Sequence, residues 1–155
     1  MLRVPVVAWC RESAGRYYRE LEAAAMKSAE KKEKLKLGIA HFNAQKFFEA
    51  HEVWEEIWLT EAEPEKTFLQ GLIQVAAAFH HFKRGNSRGA ESLLMAGILK
   101  LSRFPAGHLG LAVGELRAAA KEWARLLGER RQVEGARLPR IRWAAVSNSA
   151  SKRVG

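Results

Sequence analysis

Residues 42–58, FNAQKFFEAHEVWEEIW, decide how this chain reads. Apolar residues at Leu35, Ile39 and Phe42 keep helical spacing up to Asn43, and a second helical pattern runs from about Lys46 to Leu59. Two helices joined this tightly make an antiparallel hairpin. On the second helix His51 and Glu55 are four apart and Trp58 follows three later, so all three share one face. At 100° per residue, Phe47, Trp54 and Trp58 lie to one side of His51, and Glu55, Phe48 and Leu59 to the other. Glu49, Val53 and Glu56 point away, with Glu52 at the boundary. A histidine and a carboxylate thus sit near the middle of an aromatic stripe. Burying them is costly unless they are paired.

Three more helices follow. Pro64 suits the first turn of one that extends to Arg84 and stops at Gly85. Asn86 is a good N-cap for the next, in which Ala90, Leu93, Leu94, Gly97, Ile98 and Leu101 keep one face. Pro105 and Gly107 break the chain, and the last helix carries Leu116, Ala119, Ala120, Trp123 and Leu127 before Gly128. No segment alternates between hairpin turns, so strands are not expected. The fold class is all-α: a compact bundle of antiparallel helical hairpins with about five core helices. Residues 16–36 have high helix propensity but a narrow apolar stripe, and they are the candidate for an additional N-terminal helix.

The helix after Pro64 has an odd back face. Phe68, Leu72, Val75, Ala76 and Phe79 form an ordinary core stripe, yet the opposite side is uncharged: Gln70, Gln74, Ala77 and His81, flanked by Gly71 and Ala78. Such a helix is expected to be buried on two sides. The economical expectation is that His51 and Glu55 meet the Gln70, Gln74 and His81 stripe.

The net charge of +9 suggests nucleic acid until it is located. Residues 1–37 carry nine Lys/Arg against five Asp/Glu, residues 38–128 ten against ten, and residues 129–155 seven against two. The reading is therefore a basic, partly helical N-terminal extension (1–34), a neutral all-α domain (35–128), and a basic, mostly disordered tail (129–155). Basic ends of this kind bind nucleic acid only weakly and non-specifically. The single cysteine, Cys10, excludes an internal disulfide and a Cys-based zinc site. MLRVPVVAWC is a poor signal sequence, interrupted by Arg3 and closed by Arg11 and Glu12, and Met26 reads like a natural start. No apolar run approaches the roughly 20 residues needed to cross a bilayer. The expected location is the cytoplasm, with no membrane partner.

The pattern HxxxExxW, His51 to Trp58, resembles the signature of the family called domain of unknown function 309. The preceding FN…FFEAHE and the later FLQGLIQVAAAFHHFKRGNSRGAESLL resemble it too, so the similarity spans roughly residues 35–104. The resemblance implies a compact all-α fold found in bacterial, archaeal and plant proteins. It implies no established substrate and no established catalytic role for the motif.

Two functional readings follow from the residues themselves. In the first, the domain binds a protein or small ligand through a buried polar site made of His51, Glu55, Trp58, Gln70, Gln74 and His81. In the second, it is a metal-dependent, hydrolase-like enzyme with His51, Glu52 and Glu55 as catalytic candidates. HEVWE is one ligand short of the zincin HExxH pattern, and His51, Glu55 and His81 are the candidate ligands. A divalent metal is the less favoured of the two, and the enzyme is the less favoured class. A purely structural histidine–carboxylate pair capped by an indole is the plain alternative to both. His80, about 100° from His81, reads as an ordinary packed histidine, and His41 and His108 as surface residues near helix ends. Lys31, Lys32, Lys34 and Lys36 read as a solvated helix face.

Overall fold

Short turns force each helix to reverse direction and pack on its predecessor. The computed structural model describes residues 28–133 and 135–145. Among these, five α-helices follow one another: α1 (Ser28–Asn43), α2 (Phe47–Thr60), α3 (Glu65–Lys83), α4 (Ser87–Leu101) and α5 (Val113–Gly128). Each packs against the next along the chain. A 3-10 turn at His108–Gly110 links α4 to α5, and one isolated bridge, Leu111 with Trp143, is the only β pairing among the described residues. The all-α expectation holds.

The turns use the expected chemistry. Gln45, at φ 61, lets the chain reverse between α1 and α2, and Gly85, at φ 81, does so after α3. The Asn86 side chain accepts from Gly89 N at 2.9 Å, capping α4 as its position predicts. α3 lies at the centre. From Phe68 to Phe79 every residue except Gln70 is buried, because α2 packs on one side and α4 on the other. The α3–α4 approach needs two glycines: a Cβ on Gly97 would lie 3.0 Å from the Gly71 carbonyl oxygen. Phe42, Phe47, Trp54, Phe68 and Phe79 fill the core, and Trp123 meets Phe79 edge-on at 5.5 Å.

Three expectations are corrected at the margins. First, Lys31 and Lys34 are not simply solvated: they pair with Glu61 and Glu56 of α2. Second, residues 135–145, part of the tail expected to be mostly disordered, are fastened to the bundle. Asn43 accepts from Ile141 N at 2.8 Å and donates to Ile141 O at 2.9 Å, and Ile141 is 3% exposed. Trp123 Nε1 donates to Arg137 O at 3.1 Å, and Ala112 N donates to Arg142 O at 2.8 Å. Side chains from the bundle grip the strap's backbone, which supplies the bonds that a helix or sheet would otherwise provide. Third, His108 is no surface residue. It lies 4.7 Å from both Phe68 and Phe104, ring to ring, and bonds Glu65 at 2.8 Å. Residues 1–27 and 146–155, which include most of the N-terminal extension and Met26, lie outside the described residues.

Candidate functional site

α2 places its residues as the angular reading requires. Phe47, Ala50, His51, Trp54, Ile57 and Trp58 are buried, and Glu49 and Glu52 are exposed. His51 is 4% exposed, and its Nε2 lies 3.8 Å from Oε2 of the partly buried Glu55. That is an ion-contact distance, longer than a direct hydrogen bond. Burial pushes the His51 imidazole below its ordinary value; a hydrogen bond to the Phe48 backbone opposes this, and the nearby His80 adds to it. Burial thus disfavours the protonated imidazole beside Glu55.

Trp58, 7% exposed, completes the face, and its Nε1 has no hydrogen-bond partner among the described residues. Above its ring, 4.4 Å from the centroid, sits the ammonium of Lys66 from the first turn of α3. Trp54, one turn earlier on α2, differs: its Nε1 donates to Leu35 O at 3.2 Å.

The uncharged stripe of α3 is divided among neighbours. Gln74 is buried and accepts from Lys100 Nζ of α4 at 3.0 Å. Burial, and secondarily Arg103, lowers the pKa of that lysine. His81 Nδ1 lies 3.3 Å from Asn86 Nδ2, at the far end of α3. Gln70 is half-buried. The structure thus brings His51 to Glu55 and keeps Trp58 on their face, while Gln74 turns to α4 and His81 to the α3–α4 turn. Among the described residues no three His, Cys, Asp or Glu side chains gather as a metal site, so His51, Glu55 and His81 are not assembled as one. Glu52 lies on the exposed side of α2. Burial raises its pKa, with Glu49 and Glu56 adding to the effect.

Sequence reasoning overlooked three residues. His80 packs as the sequence reading expects, and it also lies near His51. Phe48 stands between it and His51, with ring centroids at 5.4 and 5.8 Å, and burial lowers its pKa ahead of His81 and Arg84. His80 also lines an open depression with Gln45, Lys46, Phe48, Glu49 and Arg84. Its angle toward α2 was readable once helix order was known. Lys66 and Lys100 carried no signal, because a lysine in a helix ordinarily points to water.

The chain is similar to an uncharacterized protein of Aquifex aeolicus (strain VF5), 35% identical over 82 residues, which covers 52% of this chain and 25% of that protein. It is also similar to the uncharacterized protein YpuF of Bacillus subtilis (strain 168), 34% identical over 82 residues, which covers 50% of this chain and 47% of that one. The chain thus spans a quarter of the first relative and about half of the second. No solved structure matches it. A model of the family described as Domain of unknown function (DUF309) matches residues 35–93, so the resemblance read from the sequence is shown over that stretch, which contains every candidate site residue from His51 to His81.

Proposed function

We infer that this helical domain is a binding module whose recognition face is the α3-side of α2, with His51, Glu55 and Trp58 at its centre and Gln70 nearby on α3; Gln74 and His81, the other expected members, turn to α4 and to the α3–α4 turn. This reading takes HxxxExxW as the family's binding signature and places the protein in the cytoplasm. It is consistent with no helix among the described residues being long and apolar enough to cross a membrane. One observation carries it: the buried His51 imidazole sits 3.8 Å from the partly buried carboxyl group of Glu55. Such a pair offers a ligand a ring nitrogen and a carboxyl group at once. A packing role alone would be served by apolar side chains of similar volume.

The alternative, a metal-dependent hydrolase using His51, Glu52 and Glu55, needs a third ligand that the described residues do not bring near. Two measurements decide between them. In the first, the purified protein and His51→Ala are both assayed for metal by elemental analysis. Equal, sub-stoichiometric content is expected; stoichiometric metal lost in His51→Ala would establish the enzyme reading instead. In the second, a thermal-shift panel of amino acids, organic acids and nucleotides is run on the wild type and Glu55→Gln. Stabilisation by one class, lost in Glu55→Gln, is expected. A panel with no response, or an equal response from both proteins, overturns the binding face.

A further inference from the structure

A buried donor without an acceptor stands at one end of this face. Trp58 is 7% exposed and its indole N–H is unpartnered among the described residues, while the other two buried indoles, Trp54 and Trp123, each donate to a backbone carbonyl. Leaving such a donor unpaired is unfavourable. The cation beside it contacts the ring face rather than an acid. Lys66 lies over the Trp58 ring and makes no ion pair among the described residues. The nearby acids are engaged elsewhere: Glu61 with Lys31, Glu56 with Lys34, Glu65 with His108, and Glu63 with Thr67. A buried N–H and a lysine meeting at one indole fit an acceptor that carries negative charge.

Resting on the binding-face reading above, we propose that Trp58 and Lys66 form a subsite for the carboxylate of a small organic acid, with the indole N–H donating to one oxygen and the ammonium pairing with the group. Lys66 is half-buried on a flexible stem, so its ammonium moves from the ring face to the arriving carboxylate. Charge favours a carboxylate over a phosphate. Glu55, Glu56, Glu61, Glu63 and Glu65 surround the subsite in sequence, and one ammonium balances one negative charge but not two. The rest of such a ligand extends along the face. Glu55 lies one turn back on α2 and Gln70 one turn on along α3, and these helices run antiparallel, so both residues follow the subsite in the same direction.

The test is an NMR titration of the full-length 15N-labelled protein, following the indole N–H signals, with Trp58 assigned through Trp58→Phe or by backbone-linked assignment if that variant does not fold. The probes are acetate and succinate, with inorganic phosphate and chloride at matched ionic strength. We expect acetate and succinate to move the Trp58 signal downfield and saturably, with the Trp54 and Trp123 signals still and chloride without effect. Lys66→Gln, which keeps most of the side-chain stem, should weaken that response roughly tenfold, the loss of one charge-assisted bond. Three results overturn the carboxylate subsite: no displacement by either acid, an equal response in Lys66→Gln, or displacement by phosphate alone. If another compound of the thermal-shift panel still moves the Trp58 and His51 signals, the binding face survives and only the ligand class falls. If nothing moves them, both readings fall together. A Trp58 N–H that exchanges with solvent in the free protein as fast as exposed Trp143 serves water, and this also overturns the proposal.

Discussion

α2 has two flanks that are equally apolar and unequally satisfied. Toward α1, Trp54 is fully buried, donates to Leu35 O, and lies in the notch left by Gly38. The Lys31–Glu61 and Lys34–Glu56 pairs run along the same seam. Toward α3, Trp58 is almost as deeply buried but has no acceptor among the described residues, and burial lowers the pKa of His51 beside Glu55. Native interiors pair nearly all their buried polar groups, so an exception needs a cause. The α1 flank is built for cohesion, whereas the α3 flank keeps polar capacity in reserve.

The largest effects should fall on the α1 flank. Trp54→Ala is expected to cost about 3–5 kcal/mol, a cavity in the centre of the core. Gly38→Ala would drive a methyl onto the Trp54 indole, which cannot retreat at 0% exposure, and should cost roughly 1–3 kcal/mol or more. Urea melts of these variants check both. If Gly38→Ala melted like the wild type, the notch would be dispensable and the contrast between flanks would break.

The same flank reaches the C-terminal strap through Asn43. Ile141→Ala should cost about 2–5 kcal/mol, and Asn43→Ala about 1–3 kcal/mol because it strands the Ile141 N–H and carbonyl. Truncation after Pro139 should cost at least as much as Ile141→Ala. A truncated protein with unchanged stability would return the strap to the disordered tail expected from its composition.

A gentler effect should appear on the α3 flank as pH falls. The folded-state pKa of His51 lies below its unfolded value of 6.5, and that of His80 is also lowered. Below the unfolded value the unfolded chain binds more protons, so stability rises with pH in that window. The contribution is fully present above 6.5 and is lost as pH falls through the lowered folded values. The melting temperature should therefore fall from about pH 7 to about pH 5, and His51→Gln should flatten that fall in part, leaving the His80 share. An identical profile in His51→Gln would show that the imidazole is not desolvated, and the contrast between the flanks would weaken.

The helices were legible because their signals are local. Asn86, Gly85 and Pro64 mark turns through backbone chemistry, and the α2 and α3 stripes repeat over several turns. The strap was not legible. Leu138, Pro139 and Ile141 dock one at a time with no period, and their bonds come from Asn43 and Trp123, which are distant in sequence. At the site, the shared face of His51, Glu55 and Trp58 follows from spacing alone. The partners of Gln74 and His81 do not, because they depend on how α4 crosses α3 and on where Lys100 and Asn86 then reach. Lys31 and Lys34 were misread for the same reason: their acids lie on another helix.

The smallest expected change gives the sharpest comparison. Trp54→Phe and Trp58→Phe remove the same atoms from two buried positions on one helix, so the loss of apolar contact largely cancels between them. The polar terms remain. Trp54→Phe forfeits a hydrogen bond to Leu35 O, a net loss of about 0.5–1.5 kcal/mol. Trp58→Phe removes a donor that is unpaired among the described residues, and so returns about 1–3 kcal/mol of desolvation cost. The second variant should therefore be the more stable by roughly 1.5–4.5 kcal/mol, with its own melt close to that of the wild type. Paired chemical denaturation of the two single variants measures the difference directly. Equal destabilisation would mean that Trp58 finds an acceptor in the unliganded protein, and the two flanks of α2 would then be alike.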